Sequence, residues 1–397
     1  MAALLKKCQI YLDEHVYKGY DEYKKTHACQ FFMYQFIAGL LCATVIILGV
    51  AALFAAGVCE SLTEFHLATT STSFLGLKNI VIINRSPHGE ITMTAASSGF
   101  NGGDALKIES KNYAVNDDNR KMLTSSQLLD ATTFSVLASA VDESKFLGID
   151  VSCEHVFSNM ALHNFTGTVN LRGERDAGIK VSSEAPFELG KAGLYVEHLN
   201  IQADTGAINV TGISTSSLKV TVPKLPFQIR KPRGVYLQNV VSSYIQVQSD
   251  SRDIHVDGAV LPFASRLNSG GNGRALNVST KTGDIFLSNV GEGGDIFAAS
   301  QEGNIVVRLN GRAFHGAYNA QAGQGVVFFS PTSSMHKSGP VCSPTDSWKK
   351  LPSLKEGIGA LHHHCKQGHV GFAYGKQRVE LYTASGDITL ISSEPDI

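Results

Sequence analysis

Five residues near the C-terminus have the types and spacing to bind a metal: His362, His363, His364, Cys365 and His369. Imidazole and thiolate are ligands that Zn and Cu favour, and the His-x-His and Cys-x-x-x-His spacings make His362, His364, Cys365 and His369 one candidate set. A structural zinc site draws on two separated ligand pairs, and no second Cys-x-x-Cys or His pair exists here. The competing reading is therefore a polar loop tip between Gly359 and Gly368 that holds no metal. Cys365 has another use: on an oxidising side of a membrane it could pair with Cys342 and staple the segment between them, with Cys59 and Cys153 as a second pair. A row of acidic residues, Asp253, Asp284, Asp295 and Asp387, has the composition of a polysaccharide-cleaving carboxylate set. Equivalent positions hold Ala207, Asn304, Glu90 and Thr168, so the slot does not require ionisation, and closing a turn accounts for it better than acid or base work. No nucleophile motif, phosphate loop or dinucleotide turn is present, so neither an enzyme activity nor a cofactor is expected. Glycosylation triplets at Asn84, Asn164, Asn209 and Asn277 are about as many as this composition gives by chance, and they do not locate the protein.

The residues that would position these groups belong to a repeated unit: Gly, a small or acidic residue, then alternating apolar and polar positions. It occurs at Gly89 to Met93, Gly167 to Leu171, Gly206 to Val210, Gly283 to Leu287, Gly303 to Val307 and Gly386 to Leu390. Degenerate copies begin at Asp253 and Gly294. Glycine is expected to supply the positive φ of a tight turn, Asp or Asn to close it, and the following apolar pair to point into a core. Ile208, Ile285, Ile305 and Ile388 should therefore share one interior, with Phe286 facing out. Each copy is one short strand leaving a turn. Stacked copies make either a β-solenoid or an antiparallel β-sandwich, and the near absence of long amphipathic helices between strands excludes a doubly wound α/β domain.

With its Ser/Thr-Gly-Asp-Ile-x-Leu units at Thr282 to Leu287 and Ser385 to Leu390, each preceded by a sister strand, the chain resembles the putative adhesin family built from such repeats. The resemblance spans roughly residues 77 to 392 and implies a right-handed β-helix with a surface or attachment role. Two stretches depart from the pattern. Residues 111–148 read as an insertion containing a helix around Ser125 to Val141. Residues 332–369 read as a second insertion, with Pro340, Pro344, Pro352 and Trp348, outside a core that should close without it.

Ahead of the repeats, no charged residue lies between Phe31 and Cys59, and residues 31–59 are expected to cross a bilayer once as a helix. Lys18, Lys24 and Lys25 precede the run, whereas Glu60 and Glu64 follow it, so the N-terminus should stay on the cytosol-like side and the large domain outside. Residues 1–30 form an amphipathic helix with Leu5, Leu12, Val16 and Tyr20 on one face and mixed Lys, Asp and Glu on the other. Residues 60–76 are a stalk, and 77–397 the β domain. Across the 397 residues, 34 Lys and Arg balance 35 Asp and Glu, which leaves no footprint for nucleic acid. The expected function is a single-pass type II membrane protein for attachment or scaffolding at the cell surface or in an endomembrane. Its expected partners are other membrane or surface proteins, the bilayer, or a glycan, with contacts at Trp348, Leu5, Leu12, Val16 and Tyr20. The alternative is an accessory subunit of a larger organelle membrane complex, such as one of the mitochondrial inner membrane facing the intermembrane space. A carbohydrate-active enzyme ranks behind both.

Overall fold

The computed structural model describes residues 36–37, 39–41, 43–44, 63–73, 77–85, 89–95, 105–114, 124–130, 133–138, 145–146, 149–150, 155–162, 164–183, 193–223, 234–259, 274–290, 294–310, 314–331, 337–338, 364–370 and 377–393. Contacts divide the chain into two compact units, Met1–Leu62 with Ser144–Cys153, and Thr63–Glu143 with Glu154–Ile397. The chain begins its strands with β1 (Thr63–Ser73), β2 (Asn79–Asn84), β3 (Glu90–Ala95), β4 (Ala105–Ala114), β5 (Thr124–Asp130), β6 (Thr133–Ala138), β7 (Lys145–Phe146) and β8 (Ile149–Asp150). A regular run follows: β9 (His155–Leu162), β10 (Asn164–Gly173), β11 (Gly178–Ser182), β12 (Leu194–Ala203), β13 (Ile208–Thr211), β14 (Ile213–Val222), β15 (Val235–Gln238), β16 (Val241–Ser249) and β17 (Ile254–Asp257). It continues through β18 (Arg274–Thr280), β19 (Ile285–Val290), β20 (Asp295–Ser300), β21 (Ile305–Asn310), β22 (Gly316–Ala322) and β23 (Val327–Pro331), and finishes with β24 (Lys337–Ser338), β25 (His364–Val370), β26 (Gln377–Thr383) and β27 (Ile388–Ser393).

In the smaller unit, β7 and β8 pair antiparallel. Residues 36–37, 39–41 and 43–44 are helical, and Phe36, Ile37, Leu40 and Leu41 are exposed. Among the described residues no helix is long and apolar enough to cross a membrane. Most of the expected spanning run 31–59, and all of 1–30, lie outside the described residues.

The larger unit is mainly β. Its two sheets have 12 and 13 strands, the first ordered β1-β4-β9-β3-β11-β13-β15-β17-β19-β21-β27-β23, the second β24-β25-β22-β26-β20-β18-β16-β14-β12-β10-β2-β6-β5. From β10 to β21, odd strands join the first sheet and even strands the second, and each from β10 to β19 pairs in parallel with the strand two further along. Antiparallel pairs occur at the sheet ends, through β4, β5 and β25, so the antiparallel sandwich is not the arrangement adopted. Ile208, Val235, Ile254, Ile285, Ile305, Ile388 and Val327 stack in register along the interior of the first sheet. The four isoleucines named from the sequence are wholly buried in one core with the aliphatic rows of the second sheet. Such β-branched, continuously apolar rows suit strands that meet neighbours on both edges.

Three hydrogen-bond and packing rows hold consecutive turns together, and one of them revises the reading of the glycines. Gly206, Gly283, Gly303, Gly325 and Gly386 do not have positive φ; among the described glycines only Gly212 and Gly258 do. What excludes a side chain is proximity: a Cβ at any of the five would come within 3.0 Å of a carbonyl of the neighbouring turn, as Gly303 does with Gly283, Gly386 with Gly303 and Gly325 with Gly386. A second row consists of Asp and Asn. Asp253 Oδ1 accepts from Asp284 N (3.0 Å), Asp284 Oδ1 from Asn304 N (2.7 Å), Asn304 Oδ1 from Asp387 N (2.9 Å) and Asp387 Oδ1 from Val326 N (2.8 Å). These side chains join neighbouring turns rather than closing their own. A third row is of buried hydroxyls three residues before the glycine slot. Ser300 Oγ accepts from Gly303 N at 2.8 Å and donates to Gly283 O at 3.0 Å; Thr280 and Thr383 repeat the donation to Arg252 O and Gly303 O.

Arg252 occupies the glycine slot of its own turn and is wholly buried. The coil before it leaves β14 at Val222 and enters β15 at Val235, a connection of 12 residues where 281–284 has four. Its guanidinium extends past that coil to donate to Gly206 O and, at 3.3 Å, to Ala203 O. Loss of water holds the Arg252 group well below its usual value, at about 10, with Asp204 and Asp176 pulling in the other direction. It remains a cation at neutral pH.

Two sequence expectations fail here. The helix expected around Ser125 to Val141 is instead the antiparallel hairpin β5–β6, with β6 continuing the second sheet beside β2. Ser125, Ser126, Thr132, Thr133 and Ser135 compete poorly for helix, and Val136 is buried in the sheet core. Nor is the 332–369 insertion wholly outside the scaffold. Its last residues form β25, which covers β22 through seven residue pairs, because an open strand needs partners for its backbone.

Candidate functional site on the outward row of the first sheet

The structure separates the residues proposed as metal ligands. His364, Cys365 and His369 lie on β25, a paired strand rather than a loop tip. His364 and His369 are five positions apart, hence on opposite faces and about 17 Å distant, while Cys365 and His369 share a face at about 13 Å. One ion cannot take these three together, and among the described residues no group of three His, Cys, Asp or Glu could hold a metal. Cys365 is disulfide-bonded, which removes it as a thiolate ligand. Cys342, His362, Trp348, Leu5, Leu12, Val16 and Tyr20 lie outside the described residues. Of the glycosylation triplets, Asn84 is wholly buried and donates to Glu90 O, while Asn209 is exposed. Asp253, Asp284 and Asp387 each commit an oxygen to a neighbouring backbone N–H, as Asn304 also does.

What the fold does bring together is a row of side chains on the outward face of the first sheet. Parallel registration aligns Tyr236, His255, Phe286, Val306, Thr389 and Phe328 on successive strands. Tyr236 and His255 stack with centroids 4.8 Å apart and planes 12° apart; His255 and Phe286 stack at 4.7 Å and 10°. These distances equal the strand spacing, so the rings stand upright on the sheet and cover one another's faces. Their edges form a ridge. Among the described residues, the exposed large apolar side chains of the larger unit are Tyr236 (46%), Val326 (46%) and Phe328 (55%), all on this face. The ridge runs between two polar rows, Asp253, Asp284, Asn304 and Asp387 on the turn side, and Gln238, Asp257, Ser288 and Arg308 on the other.

Reading the sequence as separate copies of a motif missed this row. The signal was present: Tyr236, His255 and Phe286 occupy the same slot, the residue after the buried aliphatic in Val-Tyr-Leu, Ile-His-Val and Ile-Phe-Leu. Stacking the copies in register would have aligned them. Chemically, the row offers apolar edges flanked by carboxylates. A sugar ring that binds by lying on an aromatic face finds the inner faces of this stack occupied.

No known family matches the chain, and no curated protein matches it. Among solved structures it is similar to a putative cell adhesion protein from Clostridium sporogenes, at 9% identity and TM-score 0.24, over 84% of this chain and 100% of that one. It is similar to a putative adhesin from Bacteroides fragilis at 13% identity and TM-score 0.32, over 84% and 97% of the two chains. A putative adhesin from Parabacteroides merdae gives 10% identity and TM-score 0.32, over 82% and 96%. At these scores the likenesses carry no conclusion of their own.

Proposed function

We propose that this protein is a membrane-anchored attachment or scaffolding protein without a catalytic role. Residues 31–59 span the bilayer once, 1–30 stay on the cytosol-like side, and 77–397 form a right-handed β-helix at the cell surface or in an endomembrane lumen. The outward row carries this reading: a parallel scaffold displays Tyr236 at one end of the row and Val326 and Phe328 at the other, all on one face, and exposed apolar side chains held on one face mark a contact surface. Alternation of strands between two parallel sheets supports a β-helix, whose crossovers are right-handed by the general rule for parallel connections. The disulfide at Cys365 supports an oxidising compartment for the domain, with Cys342 as its proposed partner. Exposure of Phe36, Ile37, Leu40 and Leu41 on a helix supports lipid contact there.

Protease added to sealed vesicles that hold the large domain in their lumen should remove only about 30 N-terminal residues. Digestion of the β domain in such vesicles would overturn the topology. A second reading, an accessory subunit of a membrane complex, is favoured by the mixed charge opposite Leu5, Leu12, Val16 and Tyr20, which suits a protein neighbour better than lipid alone. Purification in mild detergent separates the two: a discrete stoichiometric assembly supports the subunit, and a lone or self-associated chain supports attachment.

A further inference from the structure

We infer that the outward row of the first sheet docks an amphipathic protein segment, apolar on the side it lays down and bearing Lys or Arg along the flank above Asp253, Asp284 and Asp387. This rests on the attachment reading and names the surface and the partner's chemistry. From Tyr236 to Phe328 the row crosses β15, β17, β19, β21, β27 and β23, five strand spacings or about 24 Å. A helix of about 16 residues has that length, and its 5.4 Å pitch is close to the strand spacing, so successive turns would meet successive strands. Across these strands, the ridge and its two flanking rows hold four carboxylates, Asp253, Asp257, Asp284 and Asp387, against one guanidinium, Arg308. Such a surface attracts a cationic flank and repels an anionic one. The ring stack presents edges, which pack under aliphatic side chains, and its inner faces are unavailable to a pyranose.

The test uses the full chain in phosphatidylcholine nanodiscs, with empty nanodiscs as the control. Two helical 18-residue peptides share one leucine stripe; one is flanked by Lys and the other by Glu, and binding is read by fluorescence anisotropy. The Lys peptide should bind at least tenfold more tightly than the Glu peptide, an advantage that fades with salt. The triple variant D253N/D284N/D387N should abolish the preference while staying folded, because Asn304 already serves in the same row. Y236T/F286T should weaken binding of the Lys peptide at least tenfold with an unchanged far-ultraviolet spectrum. Equal binding of the two peptides to the native protein, or unchanged binding to Y236T/F286T, overturns the proposal. So does binding that appears only once Lys224, Arg230, Lys231 and Arg233 are changed to Gln, which would make the chain's own basic segment the occupant. Attachment of protein-coated beads to cells is scored separately. Native beads that fail to attach overturn the attachment reading, whereas beads carrying Y236T/F286T that attach as well as native ones overturn only this surface.

Discussion

Replacing Gly303 with Ala tests whether the turn glycines are fixed by close approach rather than by backbone dihedral. The added methyl would lie 2.5 Å from the Gly283 carbonyl carbon and 2.8 Å from Ser300 Oγ, and closer still to the Gly283 oxygen. Ordinary contact between carbon atoms begins near 3.5 Å, so the two turns must separate by about 1 Å. That displacement strains four links between them: Ser300 Oγ to Gly283 O at 3.0 Å, Gln301 N to Thr280 O at 3.2 Å, Glu302 N to Lys281 O at 2.8 Å and Asn304 N to Asp284 Oδ1 at 2.7 Å. At about 1 kcal/mol net for each bond, the expected loss is about 3–4 kcal/mol. Gly212 is the internal control. It has φ of +67° but a nearest Cβ contact of 3.6 Å, so Gly212→Ala meets left-handed strain of only about 1–2 kcal/mol. Urea unfolding followed by circular dichroism gives both values. A Gly303→Ala loss below about 1 kcal/mol, or one no larger than that of Gly212→Ala, would refute the argument from proximity.

Other positions give sharp contrasts. Arg252→Gly matches the repeat yet should cost about 2–4 kcal/mol, because it removes a buried cation bonded to Gly206 O and Ala203 O and leaves a void; an unchanged urea midpoint would show that the guanidinium is dispensable. Ile285→Asp should cost several kcal/mol, whereas Phe286→Asp should lose little beyond one ring stack, and equal tolerance at the two sites would contradict the register. Burial pushes the Tyr318 hydroxyl up to about 12 from 10.0, so the folded state keeps its proton where the unfolded chain releases it. The contribution of Tyr318 to stability is then complete below pH 10 and is lost as pH rises toward 12. Relative to Tyr318→Phe, the native protein should weaken across that window, and parallel curves would sink the assignment.

Local chemistry made some of this legible and hid the rest. The inward Ile and outward Phe286 follow from a period of two, which any half-buried strand obeys, so alternation placed them correctly. The reason for each glycine was not legible, because close approach involves a turn about 20 to 80 residues away, as with Gly303 on Gly283 and Gly386 on Gly303. Thr280, Ser300 and Thr383 escape notice for the same cause: a hydroxyl three residues before a slot looks like an ordinary turn residue until its acceptor on the neighbouring coil is known. The histidine run read as a loop tip because its pairing with β22 is non-local. The outward row was recoverable from the sequence, since Tyr236, His255 and Phe286 share a slot, but only once the copies were stacked.

The order of the last two coils shows how side chains select neighbours when every coil carries nearly the same motif. The final coil in sequence, β26–β27, lies between β20–β21 and β22–β23, leaving β22–β23 at the end of the stack apart from β24 and β25. Two slots in the turns differ between these coils. The β26–β27 turn has Thr383 to donate to Gly303 O and Asp387 to accept from Val326 N, so it can join coils on both sides. The β22–β23 turn has Ala322 and Val326 in those two slots, which leaves it no hydroxyl to give the coil below and no acceptor for a coil above. Breaking both rows does not by itself end the stack, since the β12–β13 turn has Ala203 and Ala207 in the same slots and has a coil on each side; in the β22–β23 turn the two breaks coincide with the end position. Truncation before Gln377 should release β22 and β23 as well as the deleted strands, because Ala322 cannot supply Gly303 O with the bond that Thr383 makes. Hydrogen exchange should then show protection lost from Gly316 to Pro331 while β12 to β19 keep theirs. Undiminished protection of β22 and β23 would mean that this coil can slide into the vacated place, and that the hydroxyl and Asx rows do not decide the order.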